Sequence, residues 1–267
     1  MITIPPALLI AAPASNSGKT FITLGILRAL KNQKIKVASA KIGPDYIDPA
    51  FHKRATGQDC YNLDGWAMRN ESLDFLMQCL SKDNDLLISE GVMGLFDGAN
   101  LGPNLQDQDG SSADIARRMG WPVILVIDAA SQANSICATL KGFIEFDPRV
   151  KVAGVIFNKV STDSHKEIIK NACQRFLPEL NILGFIPKNN NFTLPERHLG
   201  LVQAHEHPEL DEFLDRAANF ISEHIDLSAL QSLAHATYKA PTPSQRTAFF
   251  KAPSNHLCIA FDAAFAF

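Results

Sequence analysis

The sequence predicts an α/β protein built on a doubly wound, mainly parallel sheet. Short apolar runs alternate with amphipathic segments along most of the chain. Most of these runs are nearly continuous hydrophobes, as strands covered on both faces should be. The first run opens directly into a phosphate-loop sequence and then a helix. Folds of this kind place ligands along the carboxyl edge of their strands. Hydrophobic residues make up 46% of the 267 positions and charged residues 20%, which supplies a core and excludes disorder throughout.

Strands are expected at ALLIAA (7–12), IKVASAK (35–41), DLLISE (85–90), PVILVID (122–128), KVAGVIFN (151–158) and NILGFIP (181–187). Helices are expected over 19–31, 70–82, 112–119, 132–145 and 164–176. In the first of them Ile22, Ile26, Leu27 and Leu30 form one apolar stripe at helical spacing. Ser111 with Asp114 makes a capping pair ahead of another. Past residue 187 a loop-rich stretch, NNNFTLPERHLGLVQAHEHPE, leads to a helix over about 209–224. The main domain is expected at 1–234 and a polar, Pro-bearing linker at 235–255. HLCIAFDAAFAF (256–267) then begins a strand of a further domain.

Twenty-five Lys and Arg against 28 Asp and Glu leave a formal charge of −3. That balance argues against nucleic acid or an anionic membrane as the principal partner. Cys60, Cys79, Cys137, Cys173 and Cys258 are scattered and odd in number, so neither a disulfide framework nor a zinc ribbon is expected. Cys258, inside an apolar run, reads as core. The apolar opening lacks a basic leader, and no run is long enough to span a bilayer. A cytoplasmic chain is the expectation. His198, His205, Glu206 and His207 are close in sequence but offer no familiar metal-ligand spacing. Trp66 and Trp121 read as packing residues.

APASNSGKT (12–20) follows the first strand and opens a helix. In that context the backbone of Ser15, Asn16, Ser17 and Gly18 is suited to phosphate oxygens, Lys19 adds a point charge, and the Thr20 hydroxyl suits Mg²⁺. Pro13 stands where the strict pattern has Gly. A turn capping an ordinary helix is the plainer alternative; strand, GKT and helix in register favour a nucleotide.

Acids recur at the ends of the next strands. KIGPDYIDPAFH (41–52) carries Lys41, Asp45, Asp48 and His52, Glu90 closes the third apolar run, and GVMGLFDG (91–98) carries Asp97. At these strand ends Thr20, Asp45 and Glu90 are placed to share Mg²⁺ and a terminal phosphate beside Lys19. Any one acid alone would equally well cap a turn or a helix; three at successive strand ends weaken that alternative. Phosphoryl transfer from ATP to a carboxylate needs a cation to screen the anions from one another, and Lys41 is placed to be one.

With APASNSGKT, KIGPDYIDPAFH, NLDGW (62–66), EGVMGLFDG (90–98), GVIFNKV (154–160) and LPERHLGLV (194–202), the chain resembles the cobyrinic acid a,c-diamide synthases, amidoligases of corrinoid biosynthesis. The resemblance implies a dethiobiotin-synthetase-like ligase domain over 1–234 that uses ATP and Mg²⁺ to activate carboxylates a and c of a corrinoid precursor for ammonia. It also implies that Lys19 and Thr20 handle phosphates, that Asp45 and Glu90 complete the metal site, and that Asn158 reads the adenine edge. Asp48, Asp97 and the Tyr46–Ile47 segment would line the corrinoid side, with Trp66 placed to touch the macrocycle. DAAFAF resembles the first strand of the family's class I glutaminase domain, whose nucleophile the remaining residues do not supply. Ammonia is therefore expected from the free pool or from a separate glutaminase domain or subunit, and an uncovered face would favour a homodimer. The rivals are a dethiobiotin-synthetase-like ligase, a ParA-type ATPase switch and a catalytically silent ATP-binding fragment. ParA-type switches carry a second Lys early in the phosphate loop, and Pro13–Ser17 holds none.

Overall fold

The computed structural model describes residues 2–100, 108–189, 192, 196–197, 200–201, 203–236 and 238–240, with isolated positions 256, 258, 260 and 262. A two-residue β1 (Ile2–Thr3) precedes β2 (Ala7–Ala11), which runs through the phosphate loop into α1 (Lys19–Asn32). Then follow β3 (Val37–Ile42), α2 (Asp48–Thr56), β4 (Cys60–Leu63), α3 (Asn70–Ser81), β5 (Leu86–Glu90) and α4 (Ser112–Met119). The second half holds β6 (Val123–Asp128), α5 (Ile136–Glu145), β7 (Val152–Val160), α6 (Asp163–Phe176) and β8 (Asn181–Pro187). Short β9 (Glu196–Arg197) and β10 (Gly200–Leu201) precede a 3₁₀ turn (Ala204–Glu206), α7 (Leu210–His224), α8 (Leu227–Leu233) and β11 (Lys239–Ala240).

Seven strands form one parallel sheet in the order β4-β3-β5-β2-β6-β7-β8. Successive residues of a strand point to opposite faces, and each face has its own core. Ala38, Ala40 and Leu87 pack with residues of α3, α4, α5 and α6, whereas Val37, Leu86 and Ile88 pack with α1, α2, α7 and α8. The predicted doubly wound architecture is therefore observed. By the same alternation Lys41 and Glu90 follow the second set and project toward α1 and α2. At the far end, β11 pairs antiparallel with β1, and His235 bridges Ala7.

The six strands expected between residues 7 and 187 all form, with small shifts at their ends. Besides the two-residue strands β1, β9, β10 and β11 and the 3₁₀ turn, α2, β4 and α8 were not anticipated. α2 has few strong apolar residues and starts with Pro in its first turn, a position where the missing N–H costs nothing. β4 is a four-residue edge strand, only partly buried. α8 is short and depends on its cap: Asp226 Oδ1 accepts from the N–H groups of Ser228 and Ala229 at 3.0 and 2.9 Å. α5 begins at Ile136 rather than 132, because the preceding residues close tight turns, with Ser131 at φ 60°. The Ser111 cap is present, its Oγ accepting from Asp114 N at 3.1 Å.

Two side chains depart from expectation. Trp121 is buried, but Trp66 is 65% exposed, because its backbone is tied to the Asp64 carboxylate while the indole has no cover. Cys258 is exposed, since no described strand pairs with its segment to bury it. Most of the expected linker and terminal strand, together with His198, lies outside the described residues. No helix among the described residues is long and apolar enough to cross a membrane.

Candidate active site

β2 is buried along its whole length and delivers the phosphate loop to the carboxyl edge of the sheet. The loop is shaped from within and from across the sheet. Ser17 Oγ donates to Ala14 O at 2.8 Å, while Asn16 and Gly18 adopt left-handed φ values of 61° and 90°. From the end of β7, Asn158 Nδ2 donates to Ser17 O at 2.9 Å, and Lys159 Nζ reaches Asn16 O at 3.3 Å and Asp128 Oδ2 at 2.6 Å. Gly18 is required on two counts: its φ is positive, and a Cβ there would stand 2.3 Å from Asn158 Nδ2. The first turn of α1 then presents backbone N–H groups free of intrahelical partners, a natural seat for an anion.

Lys41 and Glu90 are register partners on adjacent strands. Lys41 Nζ donates to Glu90 Oε1 at 2.9 Å and lies 2.6 Å from Asp48 Oδ2 and 4.0 Å from Asp45 Oδ2. Thr20 Oγ1 donates to the same Glu90 Oε1 at 2.7 Å. His52 Nε2 lies 2.8 Å from Glu90 Oε2, with both side chains shut off from solvent. Asp45 Oδ1 accepts from the N–H groups of Ile47 and Asp48 at 2.8 and 3.0 Å, which starts α2. Asn62 Nδ2 fixes the same turn by donating to Gly43 O and Asp45 O at 2.6 and 2.7 Å.

The cluster sets its own charge states. Burial disfavours the Lys41 ammonium, but Glu90 and Asp48 outweigh it and hold Lys41 above the usual lysine range. Burial likewise disfavours the Glu90 carboxylate, and Lys41 and His52 reverse that, keeping it below the usual range. Asp48 is pushed up to about 6, by burial first and then by the Glu90 charge. Burial opposes a charge on His52, while Cys60 and Glu90 raise it to about 10. Lys19 is lowered, chiefly by burial.

The structure thus brings Thr20, Lys41, Asp48 and Glu90 into direct contact, with Asp45 at the margin. Lys19 Nζ is turned to Met93 O at 2.8 Å. Asp97 is exposed, and its Oδ2 accepts from Gly94 N at 2.9 Å. Ser15 and Asn16 are exposed and Ser17 buried. Asn158 stands against the phosphate loop, its amide engaged by Ser17 O and its Oδ1 by Lys159 N. The partnership of His52 with Glu90 escaped the sequence reading. Its signal was the four-residue spacing from Asp48, which puts both on one face of a helix once α2 is recognised.

The donors fit a hard divalent cation, since Thr20, Asp45, Asp48 and Glu90 offer oxygen only. Among the described residues no group of three His, Cys, Asp or Glu side chains converges as a metal cage.

Residues 8–202 match the family described as CobQ/CobB/MinD/ParA nucleotide binding domain. Hydrogenobyrinate a,c-diamide synthase of Brucella anthropi is 46% identical over 260 residues, covering 97% of this chain and 58% of the relative. The enzyme of the same name from Rhodobacter capsulatus is 46% identical, covering 98% and 58%. The chain therefore spans 58% of the length of these relatives. Among solved structures, the signal recognition particle receptor FtsY from Elizabethkingia anophelis matches with a TM-score of 0.49 at 15% identity, covering 80% of this chain and 65% of that one. By its phosphate loop, its parallel sheet and the match over residues 8–202, the chain belongs to the CobQ/CobB/MinD/ParA nucleotide binding domain family.

Proposed function

We propose that the chain is the ligase part of an a,c-diamide synthase, amidating carboxylates a and c of hydrogenobyrinic or cobyrinic acid with ATP. The observation that carries the chemistry is the meeting of Thr20, Lys41, Asp48 and Glu90 at the mouth of the phosphate loop. The relatives' name supports the substrate. In this reading residues 1–234 form the ligase domain, 235–255 a linker and 256–267 the start of a glutaminase domain. The chain works in the cytoplasm and takes ammonia from solution or from a glutaminase.

The loop of Ser15, Asn16, Ser17 and Gly18, with Lys19, binds the phosphates of ATP, and Asn158 serves the adenine side. Thr20, Asp45 and Glu90 would hold Mg²⁺, which when bound neutralises phosphate charge. A substrate carboxylate oxygen attacks the γ-phosphorus, the bond to the leaving ADP breaks, and an acyl phosphate forms. The ammonia lone pair then attacks the carbonyl carbon, the C–O bond to phosphate breaks, and the nitrogen loses a proton. Lys41 screens the two anions in the first step. Asp48, with its pKa raised toward neutrality, is matched to taking the proton in the second. Asp97 and exposed Tyr46 face the substrate side.

Mass spectrometry of hydrogenobyrinic and cobyrinic acids incubated with the chain, Mg·ATP and ammonium or glutamine tests the reading. Diamide from ammonium is the expected product. A folded, ATP-binding chain that forms no amide with either nitrogen source would overturn autonomous ligase activity.

A further inference from the structure

Glu90 is wholly buried, and its two oxygens are held from different sides. Thr20 and Lys41 donate to Oε1, and His52 holds Oε2. An ionised carboxylate only accepts hydrogen bonds, so His52 Nε2 carries a proton and donates it. His52 has no exposed surface, on a helix that packs against α1, β3 and β4. It cannot itself touch substrate.

As a device for stability the ring is poorly chosen. Its Nδ1 is buried without a nitrogen or oxygen partner, and the nearby Cys60 thiol is a weak substitute for one. A buried polar atom without a partner costs stability, and an apolar side chain of similar volume would avoid that cost. What the imidazole supplies and an apolar residue would not is a directed donor at Oε2. A carboxylate free at one oxygen can rotate about its last torsion, which has a broad energy well. Anchored at Oε2, Glu90 keeps Oε1 at 2.7 Å from the Thr20 hydroxyl.

We propose that His52 is a positioning residue that fixes the orientation of the Glu90 carboxylate, so that Thr20 and Glu90 present a pre-set pair of oxygens to a divalent cation. The proposal rests on the reading of Glu90 as a metal-site residue, and it adds a residue that touches neither metal nor substrate.

His52→Gln keeps an amide N–H within reach of Oε2, and His52→Asn is polar but too short. Mn²⁺ binding is followed by electron paramagnetic resonance with an ATP analogue present, and analogue binding is followed separately in EDTA. His52→Asn should weaken Mn²⁺ by about tenfold, the usual scale for loss of a supporting contact around a metal site. Its metal-free nucleotide affinity should stay within about twofold of the parent, and His52→Gln should recover most of the Mn²⁺ affinity. His52→Leu replaces the Asn variant if that one does not fold. Equal Mn²⁺ affinity in the Asn and Gln variants, or a parallel fall in metal-free nucleotide binding, would overturn the positioning role. Glu90→Gln separates that failure from failure of the premise: if it leaves Mn²⁺ affinity unchanged, Glu90 is not a metal-site residue and both fall.

Discussion

A methyl group added at Gly18 would meet Asn158 Nδ2 at 2.3 Å, on a backbone whose φ of 90° already disfavours an L side chain. Strain of about 1–2 kcal/mol at such a φ, with the clash added, should lower nucleotide affinity of Gly18→Ala by about tenfold or more. Titration with a fluorescent ATP analogue checks this, and an unchanged dissociation constant would show that the loop relaxes freely. The residue types at the site were legible because Lys41, Asp45 and Glu90 stand at or just past the ends of strands and Thr20 closes the phosphate-loop motif. The engagement of Asn158 with Ser17 was not, because it joins residues 141 positions apart. Nor was the exposure of Trp66, since an aromatic side chain in a glycine turn carries no sign of whether anything covers it.

Between elements, α1 and α7 share an extensive contact reinforced by Arg28, which donates through Nε and Nη2 to the two oxygens of Asp215 at 2.7 and 2.8 Å. Arg54 on α2 reaches Asp211 on the same helix at 2.6 Å. α7 thus braces both the phosphate-loop helix and the helix bearing Asp48 and His52. Arg28 is nearly covered but Asp215 is half exposed, so solvent screening limits the pair. Arg28→Ala should cost about 1 kcal/mol and lower Tm by about 2–4 °C, as read by a calorimetric scan. Long elements with a strong apolar period were legible in the sequence. α2, β4 and α8 were not, because short segments carry too little periodicity and derive their order from Pro, sheet-edge pairing or a cap.

For the molecule as a whole, several carboxyls are held below their usual range: Asp147 by Arg149 foremost, Asp215 by Arg28, and Asp226 by the Ala229 N–H. A carboxyl whose folded pKa is depressed adds stability that is complete above its unfolded value near 4 and fades as pH falls toward the folded one. Urea midpoints should therefore be lower at pH 3 than at pH 7, with most of the drop below about pH 4. A midpoint unchanged between the two would show that these ion pairs persist in the unfolded chain. The layered fold was legible because burial on both faces of a parallel sheet leaves continuous apolar runs. The register of Lys41 opposite Glu90 has a consequence for how such a protein can change. Main-chain hydrogen bonds between neighbouring strands fix the backbone of that pair, and α2 holds its side chains through Asp48 and His52, so the connections that touch neither can lengthen, shorten or be exchanged without moving it. In the proposed function those remaining connections are where such a protein can drift or be re-engineered while the reacting groups stay put.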